Sequence, residues 1–287
     1  MNVAAILARL GLSAVTPDLA GLRALYAAWS DAVPFCNVRK TGALFADPNG
    51  SLPGLDPEDY FQAFLTHGTG GTCWTSSNAL HALLTELGFD ARRAVGSVFD
   101  MGMPNHGTTV VSLDGQLWLV DSSFIFREPL LLNPLRPTIG SDPLMAAEVA
   151  LEDGSFFVWS ACPPFEGGVF FRVLSLDVPE SDYIAGYEAS RNFGPFNDRL
   201  HTRVNRGDRI LLMRGTRLYT HTAAGIGVQE MAEEEMLRQL RAEFGYSAGI
   251  LEEWAATGAL EASFRPESPM PPLPERPRPS ARPAPLL

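Results

Sequence analysis

The chain is short of cysteine and of positive charge, and it has no long apolar run. Cys36, Cys73 and Cys162 are its only cysteines in 287 residues. So odd and widely spaced a set builds neither a disulfide framework nor a zinc cluster, and no metal site is expected. It suits a reducing compartment, where a free thiol stays usable, so a cytoplasmic location is expected. Basic residues number 22 against 33 acidic ones, a net charge of −11. Phosphate binding needs a basic face, so nucleic acid is not an expected partner. No window approaches the ~20 uninterrupted apolar residues of a membrane span, so a membrane is not expected either. The start, Met1-Asn2-Val3-Ala4-Ala5-Ile6-Leu7, has no basic segment ahead of its apolar residues and reads as an amphipathic helix rather than a signal peptide. An internal repeat and a phosphate-binding glycine motif are also absent. What is present is a hydrophobic fraction of 46%, enough for a substantial core.

The first part of the chain carries helical patterns. Leu7, Leu10 and Leu12 lead to Thr16-Pro17-Asp18, and Leu19, Leu22, Leu25, Tyr26 and Trp29 then recur at three- and four-residue steps. Val33 to Val38 reads as a buried turn, and residues 41–55, rich in Gly, Pro, Asp and Asn, as loop. Asp56-Pro57-Glu58 is a helix start with an apolar face from Tyr60, Phe61, Phe64 and Leu65, ended by Gly68 to Gly71. A helix from Cys73 runs through Leu80, Leu83, Leu84 and Leu87 to Gly88. From about residue 91 the period becomes two. Strands are predicted at residues 94–98, 108–113 and 116–120, with Asp114-Gly115 as a hairpin turn. Further strands are predicted at 156–159, 168–176 and 208–222, then a last helix over Glu230 to Phe244. Proline dominates residues 265–287, which cannot build a core and are expected to be extended or disordered.

Within this outline Cys73, His106 and Asp121 occur in that order. Cys73 follows Gly70-Gly71-Thr72 and opens its helix. His106 begins one strand pattern, and Asp121 ends the strand paired with it. A thiol at a helix N-terminus, an imidazole and a carboxylate on adjacent strands can meet at one point, the arrangement of thiol acyltransferases and cysteine hydrolases. The chemistry explains the residue types. A free thiol is mostly protonated near neutral pH, with a pKa of about 8.5, and a helix N-terminus beside an imidazolium favours the thiolate. An aspartate fixes the imidazole tautomer. A glycine pair lets backbone approach a substrate and leaves N–H groups for an oxyanion. His67, at a helix end, is a second candidate base, whereas His81, His201 and His221 have no partnered pattern. Cys36 reads as a buried structural residue and Cys162 as a strand-end residue.

These pieces together resemble the arylamine N-acetyltransferases, from residue 6 to about 258. The family's Pro-Phe-Glu-Asn-Leu turn is similar to Pro34-Phe35-Cys36-Asn37-Val38. Its Arg-Gly-Gly-x-Cys is similar to Thr69-Gly70-Gly71-Thr72-Cys73, and its Leu-Val-Asp-Val-Gly-Phe-Gly to Leu119-Val120-Asp121-Ser122-Ser123-Phe124-Ile125. Arg127-Glu128-Pro129-Leu130 and the segment 205–245 continue the pattern. The resemblance implies an α+β fold with a papain-like cysteine core: an N-terminal helical bundle over 1–90, a central antiparallel β-barrel over 91–200 and a C-terminal α/β lid over 201–264. It implies that Cys73, His106 and Asp121 are catalytic, with a substrate and acyl pocket formed by Phe35, Gly71, Thr72, Trp74, Ser123, Phe124 and Ile125. The partners it implies are small molecules: acetyl-CoA or another acyl thioester, on CoA or a carrier, as co-substrate, and an amine, aromatic amine or hydrazine as acceptor. No tightly bound cofactor is implied.

Several positions depart from the family. Thr69 stands for its arginine, Cys36 for its acidic residue, and Asn78 comes one residue late. Ser123 and Ile125 replace glycines, and their bulk is expected to narrow the acyl pocket and disfavour acetyl-CoA with small arylamines. A relative of the family makes macrolactam amides from carrier-bound polyketides, so amide synthesis on a larger acyl thioester is a second expectation. Gly71-Thr72-Cys73-Trp74 and Ala91-Arg92 also look like transglutaminase-type hydrolases, which use the same triple with water as acceptor. A silent scaffold that kept the fold is the remaining alternative.

Overall fold

A computed structural model describes residues 1–142, 144–162, 165–266, 274 and 276. The expectation for the proline-rich stretch therefore lies largely outside the described residues. The first part of the chain holds α1 (Val3–Arg9), α2 (Leu19–Ala32), β1 (Phe35–Cys36), α3 (Val38–Ala46), α4 (Pro57–His67) and α5 (Cys73–Glu86). Next come β2 (Asp90–Val98), β3 (His106–Leu113), β4 (Gln116–Val120), β5 (Leu130–Leu131), β6 (Thr138–Ile139), β7 (Ala147–Glu152), β8 (Ser155–Cys162) and β9 (Phe165–Ser175). The chain continues with α6 (Glu180–Ala189), β10 (His201–Arg206), β11 (Arg209–Arg214), β12 (Arg217–Thr222) and β13 (Gly225–Glu230). Helices α7 (Glu233–Ala242), α8 (Ala248–Ala256) and α9 (Ala259–Ala262) complete it.

Local chemistry sets the helix starts that position the site. Asp18 accepts the Gly21 amide at 2.7 Å and caps α2. Asp56 caps α4 ahead of Pro57, and Gly68, at φ 71°, closes that helix in the left-handed conformation. Asp114 and Gly115, at φ 50° and 75°, make the two-residue turn that pairs Leu113 with Gln116.

Eight antiparallel strands run in the order β5-β4-β3-β2-β9-β8-β7-β6, and β5 comes back beside β6 and β7, so the sheet curls into a nearly closed barrel. Helix α5 packs on β2 and β3. One apolar core joins the early helices to the barrel: Leu22, Trp29, Phe64, Leu80, Val110, Leu119 and Phe171 are all buried in it. A second sheet, β1-β10-β11-β12-β13, shares another core with α7 and α8 through Leu211, Met236, Leu240 and Trp254. The α+β class, with helices, barrel and a C-terminal α/β layer, agrees with the sequence reading.

Some local expectations do not hold. Part of the segment read as loop is α3. Gly42 and the Asp-Pro-Asn run after Ala46 hide its pattern, but Val38 and Thr41 are buried, and the Trp254 indole donates to Thr41 Oγ1 at 2.9 Å. Phe35 and Cys36, read as a turn, pair with β10 as a short strand, Phe35 opposite Arg203. The single strand expected over 208–222 is the hairpin β11–β12, because Gly215 at φ 54° turns the chain. The last charged helix starts at Glu233, since Glu230 still pairs with Arg217 as the end of β13.

Candidate active site

Cys73 is the first residue of α5 and is 7% exposed. Thr72 precedes it in an extended conformation, and its side chain makes no capping hydrogen bond. The first-turn N–H groups of α5 are therefore uncapped, and the positive end of the helix dipole lies at the thiol. The glycine pair has a packing reason inside the protein itself. A Cβ on Gly70 would stand 1.8 Å from the Pro34 carbonyl oxygen, and one on Gly71 would stand 2.0 Å from Thr75 Oγ1. Only glycine lets this loop lie against β1, where the Cys36 amide donates to the Gly71 carbonyl at 3.0 Å.

The β3–β4 register, Thr109 opposite Val120, brings the start of one strand level with the end of the other. His106 Nε2 and Asp121 Oδ2 are 2.7 Å apart, and both side chains are buried. Asp121 Oδ1 accepts the Ser123 and Phe124 amides at 2.9 and 3.1 Å, and its carbonyl accepts the Tyr26 hydroxyl at 2.7 Å. The imidazole lies between Phe124 and Phe171, with ring centroids at 5.7 and 4.7 Å. Burial alone would push the His106 pKa down; the Asp121 charge and hydrogen bond, joined by a hydrogen bond with Cys73, raise it overall. Burial pushes the Asp121 carboxyl up, but His106 outweighs it and holds the carboxyl below its ordinary range. The pair is thus an imidazolium and a carboxylate, with Nδ1 left for the Cys73 side.

Ser77, one turn along α5 from Cys73, ties these elements together. Its hydroxyl bonds to the Gly107 carbonyl at 3.0 Å and to the Ser122 hydroxyl at 2.8 Å.

The other expected site residues are more scattered. Gly71 and Thr72 line a cleft of about 10 Å³ together with Lys40, Thr75 and Tyr187. Phe35 packs edge-on against Phe196 and His201, at 5.1 and 5.6 Å. Burial and the nearby Arg214 and Arg203 push the His201 pKa down to about 3. Trp74 packs on Tyr183 at 4.9 Å, and the Tyr183 hydroxyl donates to the Trp74 carbonyl at 3.0 Å. The Ser123 carbonyl accepts from Arg203. Ile125 is wholly buried, and its carbonyl accepts from Asn205 at 2.9 Å. His67 shares a hydrogen bond of 2.8 Å with Ser247. A wide surface hollow of about 750 Å³ between α7 and the start of α8 is lined by Leu237, Arg241 and Ser247, among others, and by none of the expected site residues. Tyr26, Lys40, Ser77, Tyr183 and His201 had no site role in the sequence reading; long-range contacts bring all but Ser77 here.

Comparisons with known proteins point one way. A family model for N-acetyltransferases matches residues 18–149. The chain is 38% identical over 89 residues to the proansamycin X synthase of Amycolatopsis mediterranei, covering 28% of this chain and 34% of that one. It is 31% identical over 153 residues to an arylamine N-acetyltransferase of Mycolicibacterium smegmatis, covering 49% and 52%. The aligned parts thus span about a third and about half of the lengths of these curated relatives. Among solved structures, the Mycobacterium marinum arylamine N-acetyltransferase in complex with CoA superposes with a TM-score of 0.77 at 20% identity, covering 91% of this chain and 98% of that one. An arylamine N-acetyltransferase from Bacillus cereus, described as having a Cys-His-Glu catalytic triad, gives 0.71 at 15% identity, covering 86% and 99%. At these identities the structural likeness speaks for the fold.

Proposed function

We propose that this chain is a divergent member of the arylamine N-acetyltransferase family and acts as a thiol-dependent N-acyltransferase that moves an acyl group from a thioester to an amine through acyl-Cys73. The observation that carries the reading is the contact of Cys73, at an uncapped helix start, with the buried His106–Asp121 pair. In the first half-reaction the Cys73 sulfur, its proton already held by the His106 imidazolium, attacks the thioester carbonyl. The uncapped N–H groups at the start of α5 are donors for the oxyanion that forms. The imidazolium then protonates the departing thiol, leaving acyl-Cys73. In the second half-reaction an amine attacks this thioester, His106 takes the amine proton, and the C–S bond breaks to release the Cys73 sulfur beside the restored imidazolium. Asp121 keeps the imidazole oriented and stabilises its charged form throughout. Neither half-reaction needs a bound cofactor; CoA or a carrier arrives and leaves as part of the donor.

A larger acyl group than acetyl is the favoured donor. Ser123 and Ile125 stand where the family has glycines, and one relative, 38% identical over 89 residues, is a synthase rather than an acetyltransferase. The test is intact mass spectrometry after mixing with a series of CoA thioesters. A mass gain confined to Cys73 and discharged as an amide on adding an amine is the expected result. Release of free acid at the same rate with or without amine would make the protein a hydrolase, and no adduct from any thioester would overturn the reading.

A further inference from the structure

Of the 22 basic residues, Lys40 is the single lysine. It lies on α3, is 6% exposed, and donates to Ser190 Oγ at 2.8 Å and to the Ser190 carbonyl at 3.3 Å. Ser190 closes α6, so the ammonium sits at the negative end of that helix. Such an end stabilises a cation only modestly, whereas removing an ammonium from water costs far more. The helix end offsets only part of that cost. Glu188, the carboxylate whose charge reaches Lys40, is engaged with Arg191 at 2.5 Å. Among the described residues no carboxylate pairs with Lys40. Buried cations without a carboxylate are rare in proteins.

Its place is as unusual as its charge. Lys40 lines the narrow cleft with Gly71, Thr72 and Tyr187, and the two loop residues directly precede Cys73. The Tyr187 ring stands 5.8 Å from the ammonium. Burial lowers the Lys40 pKa to about 8, against an opposing pull from Cys73, so the group is still largely cationic at neutral pH.

We propose that Lys40 is a specificity residue for the acyl transfer inferred above, and that its ammonium binds a carboxylate carried by one substrate a few bonds from the reacting carbonyl or amine. The proposal rests on that reading of the reaction. A carboxylate fits better than a phosphate, because the phosphates of CoA stand a whole pantetheine arm from the thioester, while Lys40 adjoins the loop that ends in Cys73. The cleft has room for about one water, so the carboxylate enters by taking Ser190's place as acceptor. It then supplies the countercharge that the protein leaves out.

With a single lysine, protein labelled with [ε-13C]lysine gives one lysine signal that needs no assignment. The wild type is titrated with succinyl-CoA against butyryl-CoA and with 4-aminobenzoate against 4-aminobenzamide, while intact mass follows Cys73 in parallel. In one pair the carboxylate compound should move the Lys40 signal at a concentration at least about tenfold lower than its neutral analogue, as one charge-assisted hydrogen bond allows. The pair that responds tells whether the carboxylate belongs to the acyl group or to the acceptor. Lys40→Met, of similar length, should lower the ratio of kcat/KM for that carboxylate over its neutral analogue by about the same factor. Equal responses within both pairs, or none, would overturn the proposal. If Cys73 takes up no acyl group from any thioester, the acyltransferase reading fails instead, and the acceptor pair still decides for Lys40.

Discussion

Ser77 and Ser122 share a hydrogen bond of 2.8 Å that joins the helix carrying Cys73 to the residue after Asp121. The same Ser77 hydroxyl meets the carbonyl of Gly107, the residue after His106, at 3.0 Å, and the Ser77 carbonyl accepts Thr109 Oγ1 at 3.0 Å. All of these groups are buried. One short side chain therefore sets the distance between the three elements from which the thiol, imidazole and carboxylate project.

Ser77→Ala should loosen that alignment. It leaves the Gly107 carbonyl and the Ser122 hydroxyl without this partner in a buried place, a cost of ~1–3 kcal/mol. The urea midpoint should fall accordingly. Acylation of Cys73 should slow more than substrate binding weakens, because the loss is one of geometry. A variant as stable and as fast as the wild type would show that neighbouring hydrogen bonds suffice.

The His106–Asp121 pair fixes a pH dependence of stability. The folded His106 pKa is raised above its ordinary 6.5, so its contribution is fully present below pH 6.5 and is lost as pH rises through the folded value. The Asp121 pKa is lowered below 3.8, so its contribution is present above pH 3.8 and is lost as pH falls through the folded value. Between the two ordinary values both contributions are complete. Above pH 6.5 the unfolded chain gives up a proton that the folded one keeps, and this group removes about 1.4 kcal/mol per pH unit. In Asp121→Asn the imidazole keeps its burial without the charge that raised its pKa, so that slope should vanish. Urea unfolding of both proteins from pH 4 to 9 measures the difference; parallel curves would mean that the pair is not ionised.

Thiol reagents should choose between the cysteines. Burial raises the Cys36 pKa, opposed by a hydrogen bond with Tyr246, and its side chain is closed inside the second core. Cys73, at the mouth of α5 and beside His106, should be alkylated by iodoacetamide first, with peptide mapping as the readout. Labelling of Cys36 ahead of Cys73 would contradict the proposed roles.

The parts of this protein that sequence made legible are those decided within a few residues. Asp18 and Asp56 cap their helices, Asp114-Gly115 turns its hairpin, and the positions of Cys73, His106 and Asp121 follow from that helix start and that hairpin. The illegible parts depend on partners far along the chain. Tyr26 reaches the Asp121 carbonyl across 95 residues, and Lys40 reaches Ser190 across 150. Helix α3 reads as loop because its pattern is weak, and it owes its helix to burial under Trp254. The glycine pair before Cys73 suggested room for a substrate, yet what presses on it is the chain's own Pro34 carbonyl and Thr75.

Ile125 carries the last prediction. Its φ is 47°, a left-handed conformation that a β-branched residue resists, at ~1–2 kcal/mol. Glycine, the residue the family has here, would adopt it freely. The side chain is wholly buried, however, and removing a buried isoleucine side chain costs ~2–5 kcal/mol. Burial wins, so Ile125→Gly should destabilise by about 1–3 kcal/mol despite relieving the backbone. Phe124, which lies between the two substituted positions in sequence, packs on His106. Ser123→Gly with Ile125→Gly should therefore raise kcat/KM for acetyl-CoA with a small arylamine while lowering it for a longer acyl thioester. The measurement is both specificity constants in wild type and double variant, with the urea midpoint as control. If the wild type already turns over acetyl-CoA and an arylamine at about 10⁴ M⁻¹s⁻¹ or above, the lower end of ordinary enzyme efficiency, the two side chains do not narrow the site and the larger-donor reading falls with them.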